Sequence, residues 1–327
     1  MRLNLSSTAR WAENAVTVAG AANGAAGSSL DQLQLNFNIF FDENDILYIA
    51  DYWNARVVLI GSNSTTAIRV IGQEFPVNMF TFNGPGDVFV TSTSIYVMDT
   101  WNYRVQKWTR SFSDPVTVAG LCGVSGSSTN MQAFSHAFNL FVDIYGNLFV
   151  SDFPNHRVMM FPSNSRSGTS GVIVAGTGNT GSLSNQLNEP CGIFVTDDRA
   201  LYIADSINHR IQKWIIGATS GITVAGIGTA GNAASQLNYP TNILIDLNGY
   251  MYITAFHGHR VVRWALGSNF GECIAACTGH WGIGSNQLTN PTGLAFDSSG
   301  SLYVSDYTNS RVQKFQILDE SSILSIC

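Results

Sequence analysis

The chain has 327 residues, with 16 Lys+Arg against 22 Asp+Glu, 45% hydrophobic residues and 31 Gly, a composition that suits a turn-rich all-β domain. A formal net charge of −6, with the Arg and Lys residues spread along the chain, argues against a surface built to neutralise nucleic-acid phosphates. No apolar stretch is long enough to span a bilayer, and the opening Met1–Arg10 lacks the apolar core of a secretory signal. Asn4-Leu-Ser6 and Asn63-Ser-Thr65 nevertheless read as glycosylation sequons, so the compartment stays open between extracellular and cytoplasmic.

The first predicted element is a strand, Val16–Gly20, after a tail over residues 1–14. Its Val-Thr-Val-Ala-Gly phrase returns with small changes at Ile68–Gly72, Val116–Gly120, Val172–Gly176 and Ile222–Gly226, and in degenerate form at Cys273–Cys277. A second phrase returns between these copies. It begins as Leu47-Tyr-Ile-Ala-Asp51 with Asn54 and Arg56, and recurs at Asp99/Asn102/Arg104, Asp152/Asn155/Arg157, Asp205/Asn208/Arg210, Gly258/Arg260 and Asp306/Asn309/Arg311. A unit returning roughly every 50 residues marks a repeat array.

The unit from Asn188 to Gly226 shows what one repeat contains. Pro190-Cys-Gly192 leads into a first strand, Ile193–Thr196, and Asp197–Ala200 makes a tight turn. Leu201–Ala204 is a second strand, Asp205–Arg210 a second turn, Ile211–Ile215 a third strand and Ile222–Gly226 a fourth. Four antiparallel strands per repeat describe a propeller blade. Because the outer-strand phrase appears once before the first complete repeat, Val16–Gly20 is expected to pair with the third strand of blade six and remove the open edge. Ser322–Cys327 competes for the same place. The expectation is an all-β, six-bladed β-propeller of four-stranded antiparallel blades, one domain over residues 15–327, its ring closed by an N-terminal outer strand.

These phrases resemble NHL repeats. Asn155-His156-Arg157 and Asn208-His209-Arg210 show the family's turn almost as written, preceded by an apolar run ending in Asp and followed by Val/Ile-Gln-Lys-Trp/Phe in several copies. The resemblance covers residues 15 to 316 and implies a six-bladed propeller. Blade five departs from the pattern, with Ala255 for Asp and Gly258 for Asn, so its turn is expected to be looser. The repeated Asp, Asn and Arg read as structural: Asp accepts turn N–H groups, Asn tolerates the left-handed conformation and Arg reaches a carboxylate or carbonyl. Gln106-Lys107, Gln212-Lys213 and Gln313-Lys314 read as alternating strand residues with the Lys solvated.

Strand direction places the fourth-to-first connections and the second-to-third turns on one face, here called upper. That face is expected to collect Tyr52, Trp53, Trp101, Tyr103, Phe153, Phe256, His257 and Tyr307, together with the long loops from Thr177 to Asn188 and Ile227 to Asn238. Turn aromatics of this kind anchor partners, and a protein, peptide or glycan is the expected ligand. The lower face carries short turns and the Asn63 sequon.

Around the channel, the position held by Gly192 and Gly293 in blades four and six is Asn38, Asp87, Asn139 and Asn242 in the others. Four such oxygens converging on an axis suit Ca²⁺, a hard cation that takes oxygen ligands. They equally suit turn capping and ordered channel water. In architecture the arrangement resembles calcium-dependent lactonases and gluconolactonase-like hydrolases, which implies a calcium-assisted hydrolase as the rival to a non-catalytic scaffold that requires no cofactor.

Two other families resemble the chain less well. The peptidylglycine amidating lyase places zinc on channel histidines, whereas here His136 alone, of the six histidines, is positioned to approach the channel. The tripartite-motif NHL proteins carry RING, B-box and coiled-coil parts that this chain lacks.

The five cysteines leave the disulfide state open. In a regular strand Cys273 and Cys277 would stand roughly 13 Å apart on one side, too far for a bridge. A bridge needs a bend after Ala276, or pairing of one of them with Cys327. Cys191 reads as a small buried hydrophobe.

Overall fold

The computed structural model describes residues 3–62, 64–72, 81–113 and 115–318. Six four-stranded antiparallel sheets form a ring. Blades one to five run in chain order over residues 39–71, 85–120, 139–176, 190–225 and 240–275. Blade six has three strands from the C-terminal repeat, Pro291–Phe296, Leu302–Asp306 and Arg311–Phe315, and takes its outer strand from Val16–Gly20. In that last pair Val16 lies opposite Lys314 and Gly20 opposite Arg311, so the N-terminal strand closes the ring as expected. Ser322–Cys327 and Asn63 fall outside the described residues.

Second and third strands are buried on both faces, which is why phrases such as Leu47–Asp51 and Arg56–Ile60 read as nearly continuous apolar runs. Their side chains fill six separate clusters, each wedged between neighbouring blades. Each cluster therefore exists only once two blades have docked, and closing the ring adds the last of them.

Within the segment expected to form a tail, several of the described residues are packed. Leu5, Ala9 and Trp11 are buried with blades five and six, Trp11 donates from Nε1 to the Gly300 carbonyl at 2.9 Å, and the Arg263 guanidinium lies over the Trp11 and Tyr250 rings. The chain bends at Ala276, whose φ is +55°, and Cys273 bridges Cys277 with a Cα separation of 5.7 Å. Cys191 is buried and unbridged, as expected, and Cys122 is exposed and unbridged. Among the described residues no helix is long and apolar enough to cross a membrane.

Candidate functional site

The repeated Asp–Asn–Arg set is a loop clamp. In blade three Asp152 Oδ2 takes the Arg157 Nε–H at 2.8 Å, its Oδ1 takes the Ser135 N–H at 2.9 Å and the Asn155 amide donates to it. The Arg157 guanidinium then donates to carbonyls of the loop entering the blade, including Ser128 and Asn130. Blades one, two, four and six repeat the Asp–Arg pair at 2.6–2.8 Å. Burial pushes these aspartates up while the arginine and the turn N–H groups pull them down.

One expectation about this turn is corrected. The left-handed residue is not the Asn but its successor: Ala55, Tyr103, His156, His209, His259 and Ser310 all have φ of 50–55°. Asn keeps ordinary φ and spends its amide on the Asp, because its short side chain reaches the carboxylate only from there. The turn of blade five keeps the same backbone path, but its closing hydrogen bond is the longest of the six equivalent ones. His259 N–H still reaches the Phe256 carbonyl, at 3.4 Å, and what Ala255 and Gly258 remove is the side-chain clamp.

Three of the six histidines serve as inter-blade latches. The Nδ1 atoms of His156, His209 and His259 accept the backbone N–H of Glu189, Tyr239 and Asn290, in the loop that enters the next blade. His136 does not reach the channel. It stands edge-on to Trp101 at 4.3 Å between centroids and close to Tyr103, and burial lowers its pKa. The repeat lysines are half-buried, not fully solvated, with Lys107, Lys213 and Lys314 leaning over Tyr96, Tyr202 and Tyr303.

The channel is built in three layers because alternate residues of each first strand share a face. The upper layer is the expected ring, and all four polar members are buried. Bulges in the pairing just after Pro85 and Pro240 turn Asp87 and Asn242 toward it. The Asn242 amide donates to Asn38 Oδ1 at 2.8 Å, and the Asn38 amide donates in turn to Asp87 Oδ1. Asp87 also takes the Val88 and Leu140 N–H groups at 2.7 and 2.8 Å, and Asn139 takes that of Ile193 at 2.9 Å. Gly293 makes the bond from Asn242 to Asn38 possible, since a Cβ there would stand 2.5 Å from Asn38 Oδ1. Burial pushes the Asp87 carboxyl up to about 8, and the hydrogen bonds from Leu140, Asn38 and Val88 offset only part of that rise. Among the described residues no three His, Cys, Asp or Glu side chains cluster as a metal site.

Two residues below, the same strands place Phe40, Phe89, Phe141 and Phe194 in successive edge or tilted contacts at 4.9–5.1 Å, with Leu244 and Ala295 completing the layer. A cavity of about 370 Å³ runs from the ring through this layer to the lower-face turns.

The upper mouth is roofed by aromatic rings. Phe37 stacks on Phe138 at 5.0 Å, across the gap that Gly86 leaves in blade two. Contacts continue through Phe153, Tyr307, Phe256 and Tyr239, and Tyr52 rests on Phe37 and Phe138. Of the eight expected upper-face residues, Trp53, Trp101 and His257 are exposed; Tyr103, Phe153, Phe256 and Tyr307 are half-buried, and Tyr52 is buried where its hydroxyl accepts the Trp101 indole N–H. The sequence reading missed Phe37, Phe138 and Tyr239, and also Trp281, which is 69% exposed in the loop entering blade six. Phe37 and Phe138 were findable as the residues just before two ring asparagines.

The NHL repeat family model matches residues 288–315. No curated protein sequence matches the chain. Among solved structures, a protein of unknown function from Bacteroides thetaiotaomicron superposes with a TM-score of 0.70 at 16% identity, over 93% of this chain and 76% of its own. A gluconolactonase from Xanthomonas campestris gives 0.61 at 13%, over 97% and 100%. Virginiamycin B lyase from Staphylococcus aureus gives 0.57 at 12%, over 93% and 98%. At these identities the likeness concerns the fold.

Proposed function

The chain is a six-bladed β-propeller of the NHL-repeat family, and from that footing we propose that it is a non-catalytic interaction module whose upper face binds a protein, peptide or glycan. One observation carries this reading: Trp53, Trp101 and Trp281 are 62%, 44% and 69% exposed on the same face. Leu30, Leu183, Ile227 and Ile283, on loops of that face, are exposed with them. Large rings held by a rigid scaffold and surrounded by polar loops are the usual anchors of an interface, and apolar exposure of this kind marks contact surfaces. The test compares binding of candidate proteins, peptides and a glycan array to the wild-type chain and to the Trp53→Ser/Trp101→Ser double variant. Ligands of the upper face lose at least tenfold in affinity in the variant. If every interaction survives the double substitution unchanged, the reading is wrong.

The second reading is a calcium-assisted hydrolase at Asn38, Asp87, Asn139 and Asn242. Supporting it are the convergence of these four side chains on the axis and the fold held in common with a gluconolactonase. As folded, the set fits calcium poorly: it offers a single carboxyl, held neutral, and its oxygens already accept N–H groups. Metal analysis of chain purified without chelator, with melting before and after EDTA, decides between the two. One calcium per chain, with a melting point that EDTA lowers and Asp87→Ala makes insensitive to EDTA, would favour the hydrolase.

A further inference from the structure

The channel cavity opens away from the aromatic roof, toward the first-to-second-strand turns of the lower face, and its wall has an unusual charge distribution. Six carboxyls line it, those of Asp42, Asp45, Asp87, Asp143, Asp197 and Asp297, and among the described residues no Lys, Arg or His does. Behind the wall, Arg110 reaches Asp42 at 2.7 Å and Lys314 reaches Asp297 at 3.2 Å. Asp45 and Asp143 have no cationic partner among the described residues. Asp143 accepts the Tyr145 and Asn147 N–H groups and the Asn147 amide, and Asp45 accepts from Ser298.

Between this rim and the polar ring lies the phenylalanine layer, interrupted where blades five and six carry Leu244 and Ala295 instead of Phe. The interruption leaves room beside the rings, and a volume of about 370 Å³ is within the range of small-ligand pockets. Aromatic faces attract a cation through their quadrupole. Carboxylates around a low-dielectric cleft focus a field that concentrates cations and repels anions.

We propose that the lower-mouth channel cavity is a binding site for a small organic ammonium ion with an apolar body, the body lying against Phe89, Phe141 and Phe194 and the charge held among the rim carboxylates. This site is separate from the upper face and does not depend on the partner binding proposed there. Neither a neutral hydrocarbon nor an organic acid matches both features: the first leaves the rim unused, and the second meets the carboxylates of Asp45 and Asp143.

The experiment is titration calorimetry of the full chain with three probes of similar shape, phenethylammonium, 3-phenylpropanol and 3-phenylpropionate, at low and at physiological salt. The ammonium binds at least tenfold more tightly than the carboxylate and weakens with salt, and the alcohol falls between them. Leu244→Phe, which supplies the ring that four other blades already carry, narrows the cavity and weakens the ammonium at least tenfold. Asp45→Asn/Asp143→Asn keeps a side-chain oxygen in each turn; it reduces ammonium affinity severalfold and leaves the alcohol unchanged. Three results overturn the proposal: no ammonium binding at millimolar concentration, equal or tighter binding of the carboxylate, or ammonium binding untouched by both variants when each melts like the wild type.

Discussion

Arg260 and Ala255 face each other across the second and third strands of blade five, at the place where every other blade pairs Arg with Asp. The Arg260 Nε is buried and has no hydrogen-bond partner, and the guanidinium retains one bond, from Nη1 to the Asn232 carbonyl at 2.8 Å. Burial without a carboxylate pulls its pKa below the usual arginine range. Ala255→Asp is expected to restore the missing pair and stabilise the fold by about 1.5–3 kcal/mol, the worth of a hydrogen bond to a charged group. Urea denaturation checks it. The converse change in an intact blade, Asp152→Ala, strands Arg157 and costs about 3–5 kcal/mol.

Asp87 gives the protein a pH dependence of predictable sign. The unfolded chain releases this proton near pH ~3.9, whereas burial holds it in the folded chain up to about pH 8. Between those values the folded state binds one proton more, so stability falls as pH rises, by roughly 1.4 kcal/mol per unit at most. The contribution is fully present below about pH 4 and levels off above about pH 8. Melting temperatures of wild type and Asp87→Asn from pH 4.5 to 8.5 isolate the effect. The wild-type curve should descend relative to the variant across this range, and parallel curves would show that Asp87 ionises normally.

The bridge from Cys273 to Cys277 closes a very short loop, with a sequence separation of 4. Loop closure of that length contributes about 2 kcal/mol through the unfolded state. Cys273→Ser/Cys277→Ser is expected to cost that much or less, and amide exchange should rise first in Gly271–Ala275, the outer strand of blade five. Equal loss of protection in blades two to four would mean that the bridge holds the whole ring.

Much of the architecture was legible in the chain because each blade is written locally. The Asp, Asn and Arg of one clamp lie within six consecutive residues, as in Asp152 to Arg157, and the early copy of the outer-strand phrase foretold its pairing with Arg311–Phe315. The ring was also legible, since Asn38, Asp87, Asn139 and Asn242 hold one position of the repeat. What those side chains do there was not. The Asn242-to-Asn38 bond passes over blade six because Gly293 has no side chain, and a sequence does not say which glycine empties which space.

The sequence by itself determined the repeat, the blade and the closure of the ring, because alternation and turn chemistry act over a few residues and recur in every blade, and the internal clamp recurs in five of the six. Only the tertiary structure decided the site geometry. The Phe37–Phe138 stack, the phenylalanine layer and the acidic rim of the channel each join side chains from different blades. Their distances, burial and fields exist only when the six inner strands converge on one axis.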